Sequence, residues 1–347
     1  MTILPTPRIL VIRRDNIGDL VCTTPLIHAL RQRFPQGWLG ALVNSYNAPV
    51  LSGSPDLDEL FVYTKAKHRE TGESLPGIFW RRLRMLRRLR RMGLDDVIIA
   101  TPLPQARMVR LARWLKPRRV IAFGPCGADL ELPLTTEPLH EVEHVFRVAR
   151  EYGIEGAPPA CRIQSAAAQT HGADADRIAI HISARKPSQR WPAERFVALI
   201  RMLRQTHPGL RFRLLWAPGP ADDPRHPGDD EKARSILQAL DAQGAPDAPD
   251  TERPIEPVAT RTLPELIQAL AGCGALICAD GGAMHLGAGL GLPIVCLFGD
   301  SSTERWRPWE VPCRVLQKPS RQVTDIAVEE VAAAFNALRG GIPAPSP

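Results

Sequence analysis

Short apolar runs alternate with longer amphipathic stretches along almost the whole chain. Arg8–Ile12, Leu39–Val43, Leu60–Tyr63, Val97–Ala100 and Val120–Phe123 have strand length and predict strands. The segments Leu20–Arg33, Ile78–Met92, Arg107–Leu115 and Glu141–Tyr152 space their apolar residues as helices do. A second series follows the same rule. Its strands are predicted at Arg177–Ile182, Phe212–Trp216, Ala275–Ala279 and Ile294–Phe298. Its helices are predicted at Ala193–Thr206, Asp230–Leu240, Pro264–Gly272 and Ala283–Gly289, with a closing helix at Val328–Leu338. Strand and helix in turn mark an α/β protein with parallel sheets.

Two such series without internal repetition predict two facing Rossmann-like domains with a ligand cleft between them. The first spans residues 1–153 and the second 177–325. Residues 154–176, rich in Ala, Pro and Gly and lacking a period, read as a linker, and 326–347 as a closing helix and loose tail. A length of 347 residues agrees with two cores rather than one. In open parallel sheets ligands gather beyond the carboxyl ends of the strands, so the loops just after strands are the places to look for chemistry.

Charge sharpens this division. Residues 1–165 hold 24 Lys and Arg against 16 Asp and Glu, and the remainder 20 against 21, so the net +7 belongs to the first half. A basic half points to an anionic partner: nucleic acid, a membrane face or a phosphorylated substrate. No run of eighteen apolar residues offers a membrane span, and Met1–Pro7 lacks the positive charge of a signal peptide, which predicts a cytosolic protein. The seven cysteines form no CxxC pair, so neither a zinc site nor a disulfide framework is expected.

Four segments carry candidate chemistry. The first, Arg13-Arg14-Asp15-Asn16-Ile17-Gly18-Asp19-Leu20, follows the first strand and lacks the GxGxxG dinucleotide fingerprint. Gly18 permits a tight turn. Asp19 reads either as a helix N-cap or as a base that takes a proton from an acceptor hydroxyl, with Asp15 as competitor. Thr23 and Thr24 either line a sugar site or bond the backbone. The second segment is His181-Ile182-Ser183-Ala184-Arg185-Lys186-Pro187-Ser188-Gln189-Arg190-Trp191-Pro192, where three cations and two hydroxyls suit a diphosphate, or else form a solvated loop closed by a tryptophan. The third runs through Asp222, Asp223, His226, Asp229 and Asp230. A polar loop capping the helix from Asp230 is preferred there to a metal site, because the ligand types do not fall on one helical face. The fourth, Cys278-Ala279-Asp280-Gly281-Gly282-Ala283-Met284-His285-Leu286-Gly287-Ala288, joins a strand to a small-residue helix, and reads as an anion site or as a tight turn into a buried helix. The free amides and dipole of that helix attract an anion, and Asp280 is placed to bond a donor hydroxyl.

Three features in order resemble glycosyltransferase family 9, the heptosyltransferases of the lipopolysaccharide inner core. They are the strand–xxGD–helix opening with TTP and ALRxxFP (Thr23–Pro25, Ala29–Pro35), the RWP helix start, and the block DGGAMHLGAGLGLPIVCLFG. The resemblance covers nearly the whole chain. It implies a GT-B fold and a metal-independent, inverting enzyme without a cofactor, with Asp19 matching the family's catalytic base. It further implies acceptor contacts at Arg14, Asn16, Gly18, Thr23 and Thr24 of the first domain. Donor contacts follow at Ser183, Arg185, Lys186, Gln189, Arg190, Asp280, Gly281, Gly282, Ala283, Met284 and His285 of the second. The implied donor is ADP-L-glycero-β-D-manno-heptose, and the implied acceptor is Kdo or heptose on a lipid A precursor.

Two positions depart from the family pattern. Gln189 stands where relatives often carry a diphosphate-binding lysine, and Gly281 where they often carry threonine. Arg185, Lys186 or Arg190 then supplies the missing charge. A transferase of another nucleotide sugar and a nucleotide-binding protein without turnover are the competing readings. The stretch Trp80–Arg91 holds seven arginines around Leu83, Leu86 and Leu89, and reads as a packed helix with a basic side or as a contact for an anionic inner-membrane surface. No nucleic-acid motif accompanies it, and no nucleic-acid partner is expected.

Overall fold

A computed structural model of the protein describes residues 5–63, 75–164, 174–223, 227–241 and 255–341. By contacts the chain divides into two units, Met1–Gln164 and Ser165–Pro347, a division that falls inside the span read as the linker. Residues 165–173 of that span, His226 and the tail from 342 lie outside the described residues.

The first unit holds a parallel six-stranded sheet of β1 (Arg8–Ile12), β2 (Trp38–Asn44), β3 (Glu59–Tyr63), β4 (Asp96–Ile99), β5 (Arg119–Phe123) and β6 (Leu130–Leu132). Its order is β3-β2-β1-β4-β5-β6, the Rossmann order. The second unit repeats it as β12-β11-β10-β7-β8-β9. These strands are β7 (Asp174–His181), β8 (Arg211–Trp216), β9 (Ile255–Ala259), β10 (Cys273–Ala279), β11 (Ile294–Phe298) and β12 (Cys313–Gln317). The central strands are continuous apolar runs because both faces are covered: Ile9 to Ile12, Val97 to Ile99 and Leu276 to Cys278 are all almost wholly buried.

Three strands carry no apolar run and are absent from the sequence-based prediction: β6, β9 and β12. Each lies at the rim of its sheet, where one side of the strand is unpaired. β9 even contains Pro257, a residue tolerated where no ladder bond is required of its nitrogen.

The predicted helix Leu20–Arg33 is two helices, α1 (Ile17–Val21) and α2 (Thr24–Arg33). Pro25 causes the break, since it has no N–H for the carbonyl of Val21. Thr24 supplies the replacement, its hydroxyl donating to that carbonyl at 2.7 Å. The predicted helix from Glu141 is α5 (Glu141–Phe146), which tightens into a 3-10 segment, Arg147–Tyr152, before Gly153 ends it at φ 68. Between them lie α3 (Leu75–Arg91) and α4 (Ala106–Trp114).

In each unit the order of strands reverses at its first strand. β1 pairs with β2 on one side and β4 on the other, and β7 with β8 and β10. The connections after β1 and β4 therefore diverge to opposite faces and leave an opening at the strand ends, as do those after β7 and β10.

Candidate active site

At the switch point of the first unit, Arg13 follows β1 directly and turns inward, only 2% exposed. Its guanidinium is surrounded by carboxylates: Asp15 at 2.9 Å, Asp19 at 2.7 Å and Glu141 at 2.7 Å. A further N–H goes to the carbonyl of Ala100, at the end of β4. Burial works against the charge on Arg13, but Glu141, Asp19 and Asp15 outweigh it and hold the guanidinium above its ordinary value.

Asp19 sits at the third position of α1, behind Asn16, the residue that caps the helix. One of its oxygens accepts from the backbone N–H of Asn16 at 3.0 Å and from the Asn16 side-chain amide at 2.9 Å. The other oxygen faces Arg13. Asp19 is thus the reciprocal half of a capping box rather than the cap itself. Its side chain keeps 13% exposure, a carboxylate fixed in direction with an edge open to solvent. Asp15, the competitor, ties this loop to the one after β4 by accepting from the Thr101 hydroxyl at 2.8 Å.

Of the predicted acceptor contacts, Asn16 and Gly18 flank Asp19 in α1 and its cap. Arg14 lies over the ring of Tyr63 at 3.6 Å, which Arg82 of α3 also covers at 4.0 Å. The Thr23 hydroxyl donates to the Asp19 carbonyl at 2.8 Å, and both threonines are buried. Of the two readings open for Thr23 and Thr24, backbone bonding is the one seen.

At the switch point of the second unit the loop 183–190 is fastened on all sides. Ser183 accepts from the Ala217 N–H at 2.9 Å, which joins the loops after β7 and β8. Arg190 returns to the Ala184 carbonyl at 3.0 Å and pairs with buried Asp229. Lys186 pairs with Asp300 at 3.0 Å, both about half exposed. Arg185 is exposed. Gln189 is buried, and its amide donates to Asp280 at 2.8 Å and to the Ser301 hydroxyl at 3.3 Å. The loops after β7, β10 and β11 therefore meet at one neutral side chain. Gly299 allows the approach: a Cβ there would come within 2.5 Å of the Ser188 carbonyl.

Past Asp280 the backbone turns through Gly281, at φ 158 and ψ -168, a region that only glycine enters readily. The helix Gly282–Gly289 then begins, and its first amides have no partner within it. A Cβ on Gly281 would meet nothing within 4 Å, so the space over this turn is open. The side chain of Met284 points into the core beside Cys296, leaving its backbone as the part near the turn. His285 is buried with its ring edge-on to Trp306 at 5.8 Å.

Two titratable groups lie behind this loop. Lys232 donates to the Ile182 carbonyl at 2.9 Å, and burial draws it down to about 8 despite the attraction of Asp229. His181, the last residue of β7, is pushed down to about 4 by burial, reinforced by the nearby charge of Lys232. In the third segment Asp230 accepts from the Trp216 indole at 2.8 Å and the Gly219 N–H at 2.9 Å, bonds that lower its carboxyl. Among the described residues no group of three or more His, Cys, Asp and Glu is placed to hold a metal ion.

The family model described as glycosyltransferase family 9 (heptosyltransferase) matches residues 137–330, more than half of the chain. The chain belongs to glycosyltransferase family 9. It is 24% identical over 311 residues to lipopolysaccharide heptosyltransferase 3 of Escherichia coli, covering 84% of this chain and 83% of that protein. To lipopolysaccharide heptosyltransferase 2 of Salmonella typhimurium it is 23% identical over 345 residues, covering 89% and 88%. A family-9 glycosyl transferase from Veillonella parvula superposes with a TM-score of 0.76 at 21% identity, over 97% of this chain and 98% of that one. An Escherichia coli heptosyltransferase solved with ADP superposes at 0.74 and 18% identity, over 95% and 99%. The two parallel sheets are thus those of a GT-B glycosyltransferase.

Family-9 motifs account for Asp19, the RWP start and the Asp280 turn. They leave out Glu141, Thr101, Asp229, Lys232 and Ser301. Each of these is joined to the segment after β1 or β7 only by tertiary contact, and Glu141 lies 128 positions from Arg13. The one local signal for Glu141 is its place at the first turn of a predicted helix.

Proposed function

We propose that the protein is a metal-independent, inverting heptosyltransferase. It moves heptose from ADP-L-glycero-β-D-manno-heptose to Kdo or heptose of a lipid A-linked inner core. The observation that carries this reading is the state of Asp19: a carboxylate with both oxygens oriented, partly open to solvent, in the helix that follows the first strand of a family-9 chain. Such a group takes the proton of an acceptor hydroxyl as its oxygen attacks the anomeric carbon, and the bond to the ADP oxygen breaks on the opposite side. The first unit binds the acceptor and the second the donor. Charge gathering on the departing diphosphate is met by the amides after Asp280 and by Lys186, Arg185 and Arg190. Relatives solved with ADP and with an ADP-fluoroheptose support this choice of donor class.

With Gln189 in place of a lysine, Asp280 is held by a neutral amide, and Lys186 is a half-exposed cation joined to the same group of loops through Asp300, next to the Ser301 that Gln189 also bonds. Lys186 takes over the diphosphate in this reading. The deciding experiment incubates the protein with a panel of nucleotide sugars and truncated core acceptors, with EDTA in parallel, and weighs the products. Heptose transfer from ADP-heptose insensitive to EDTA is expected. Transfer only from another nucleotide sugar, or activity restored by magnesium, overturns the proposal.

A lipid-linked acceptor brings the enzyme to an anionic surface, the cytoplasmic face of the inner membrane. The first unit supports this through α3: Phe79 and Trp80 are 59% and 60% exposed beside Arg84, Arg87 and Arg91. Among the described residues no carboxylate pairs with those three arginines, whereas Arg88 pairs with Glu59 at 2.8 Å. Trp80 and the arginines line a shallow hollow of about 530 Å³. No helix among the described residues is long and apolar enough to cross a membrane.

A further inference from the structure

One nitrogen of Arg13, Nη2, lies 2.7 Å from an oxygen of Asp19 and 2.7 Å from an oxygen of Glu141. We propose that Glu141 is a positioning residue for the reaction, setting the basicity of Asp19 by sharing the guanidinium that aims it. The proposal rests on the reading of Asp19 as the base.

A guanidinium in contact with a carboxylate favours its ionised form. Arg13 bound to Asp19 alone would orient the carboxylate and at the same time make it a weak proton acceptor. Efficient general-base catalysis needs both orientation and proton affinity. A second carboxylate on the same nitrogen restores the affinity without releasing the orientation, because its negative charge opposes ionisation of its neighbour. Glu141 suits this role. It is completely buried and begins α5, where the helix dipole favours a negative charge. Its helix is fixed in turn by the Val142 N–H donating to the His140 ring at 3.1 Å and the His140 N–H to Glu143 at 2.8 Å.

The charged groups that the described residues bring to Asp19 are few. Arg13 comes from the end of β1, Asp15 from the following loop and Glu141 from α5. From the α1–α2 junction comes only the Thr23 hydroxyl, to the Asp19 carbonyl. Asp15 also bears on the guanidinium, but its side chain is 36% exposed and bonded to Thr101, so solvent weakens its influence. Glu141 is wholly buried, out of reach of that solvent.

The alternative is that Glu141 merely neutralises a buried arginine. That role affects stability and leaves the acid limb of the rate profile where it is. The test measures kcat/KM against pH with ADP-heptose and a truncated core acceptor. It compares the wild type, Glu141→Gln, Glu141→Asp and Asp19→Asn, with circular dichroism and thermal melting on each.

Glu141→Gln keeps the shape of the side chain and removes its charge. Its acid limb is expected to move to lower pH by about one unit, the scale for one charge within a few ångströms. Its plateau rate should fall about threefold to tenfold as the base weakens. Glu141→Asp keeps the charge at a longer reach and should show a smaller shift in the same direction, readable even if Glu141→Gln does not fold. An unmoved acid limb in these folded variants, whatever their melting points, overturns the proposal and leaves the Asp19 assignment standing. Near-normal turnover in folded Asp19→Asn overturns both.

Discussion

Just after β1, residues 13–19 form a knot of ions, one buried guanidinium among three carboxylates, of which Asp15 and an edge of Asp19 reach solvent and Glu141 does not. At the end of β7, the equivalent loop 183–190 gathers no carboxylates around one buried cation: Ser183 and the Gln189 amide tie it to neighbouring loops, Arg190 and Lys186 each pair with a single carboxylate, and Arg185 is exposed. The two sheets have one strand order, so topology placed both loops at a switch point and decided nothing about their chemistry. An excess of fixed negative charge suits removal of a proton. An exposed arginine and a half-exposed lysine in the second loop, with an open glycine turn in the same unit, suit an incoming diphosphate. Under the proposed function, the same scaffold serves two tasks by the choice of a handful of side chains after two strands.

This contrast breaks most sharply at Asp19. Asp19→Asn should reduce turnover by about 100-fold or more, the scale of losing a general base, while calorimetric binding of ADP stays as in the wild type. Equal loss of ADP affinity would mean that the two loops do not divide the work.

His181 provides a test behind the second loop. Its proton affinity is lower in the folded protein, about 4 against an ordinary 6.5, so the unfolded chain takes up the proton first as pH falls. Its stabilising contribution is full above about pH 6.5 and is lost progressively towards pH 4, up to about 3 kcal/mol. Urea unfolding across that range should show the decline in the wild type and a flatter response in His181→Gln. Parallel curves for the two proteins would remove His181 from the account.

Smaller effects are expected from the cations that face outward. Arg185→Ala combined with Lys186→Ala should raise KM for the nucleotide sugar about tenfold, the strength of one charge-assisted hydrogen bond, with the acceptor KM unchanged. An unaltered donor KM would return the diphosphate to Arg190 and the backbone amides. Last in size, Arg87→Gln on α3 should weaken co-sedimentation with anionic vesicles about fivefold, an effect that added salt diminishes. Binding indifferent to both the substitution and salt would leave α3 as scaffold.

Much of this was legible in the chain itself. Central strands read clearly because burial on both faces demands unbroken apolar runs, and the Gly-Gly turn after Asp280 read as a turn because few other residues can make one. The break at Pro25 was missed, because the apolar period runs across it and outweighed the proline. The rim strands β6, β9 and β12 were not legible either, since pairing on one side alone leaves their composition nearly free.

By itself the sequence determined the two Rossmann-like units, the post-strand loops and the identity of the groups they carry, because periodicity and turn chemistry are local properties. Tertiary structure alone decided what those groups touch. It turned Asp19 from a cap into the oriented half of a capping box, brought Glu141 across 128 positions to Arg13, and joined Gln189 to Asp280 across 91. The reason is physical: the strength of a charge or a hydrogen bond depends on distance and burial, and neither is fixed until distant segments share one core.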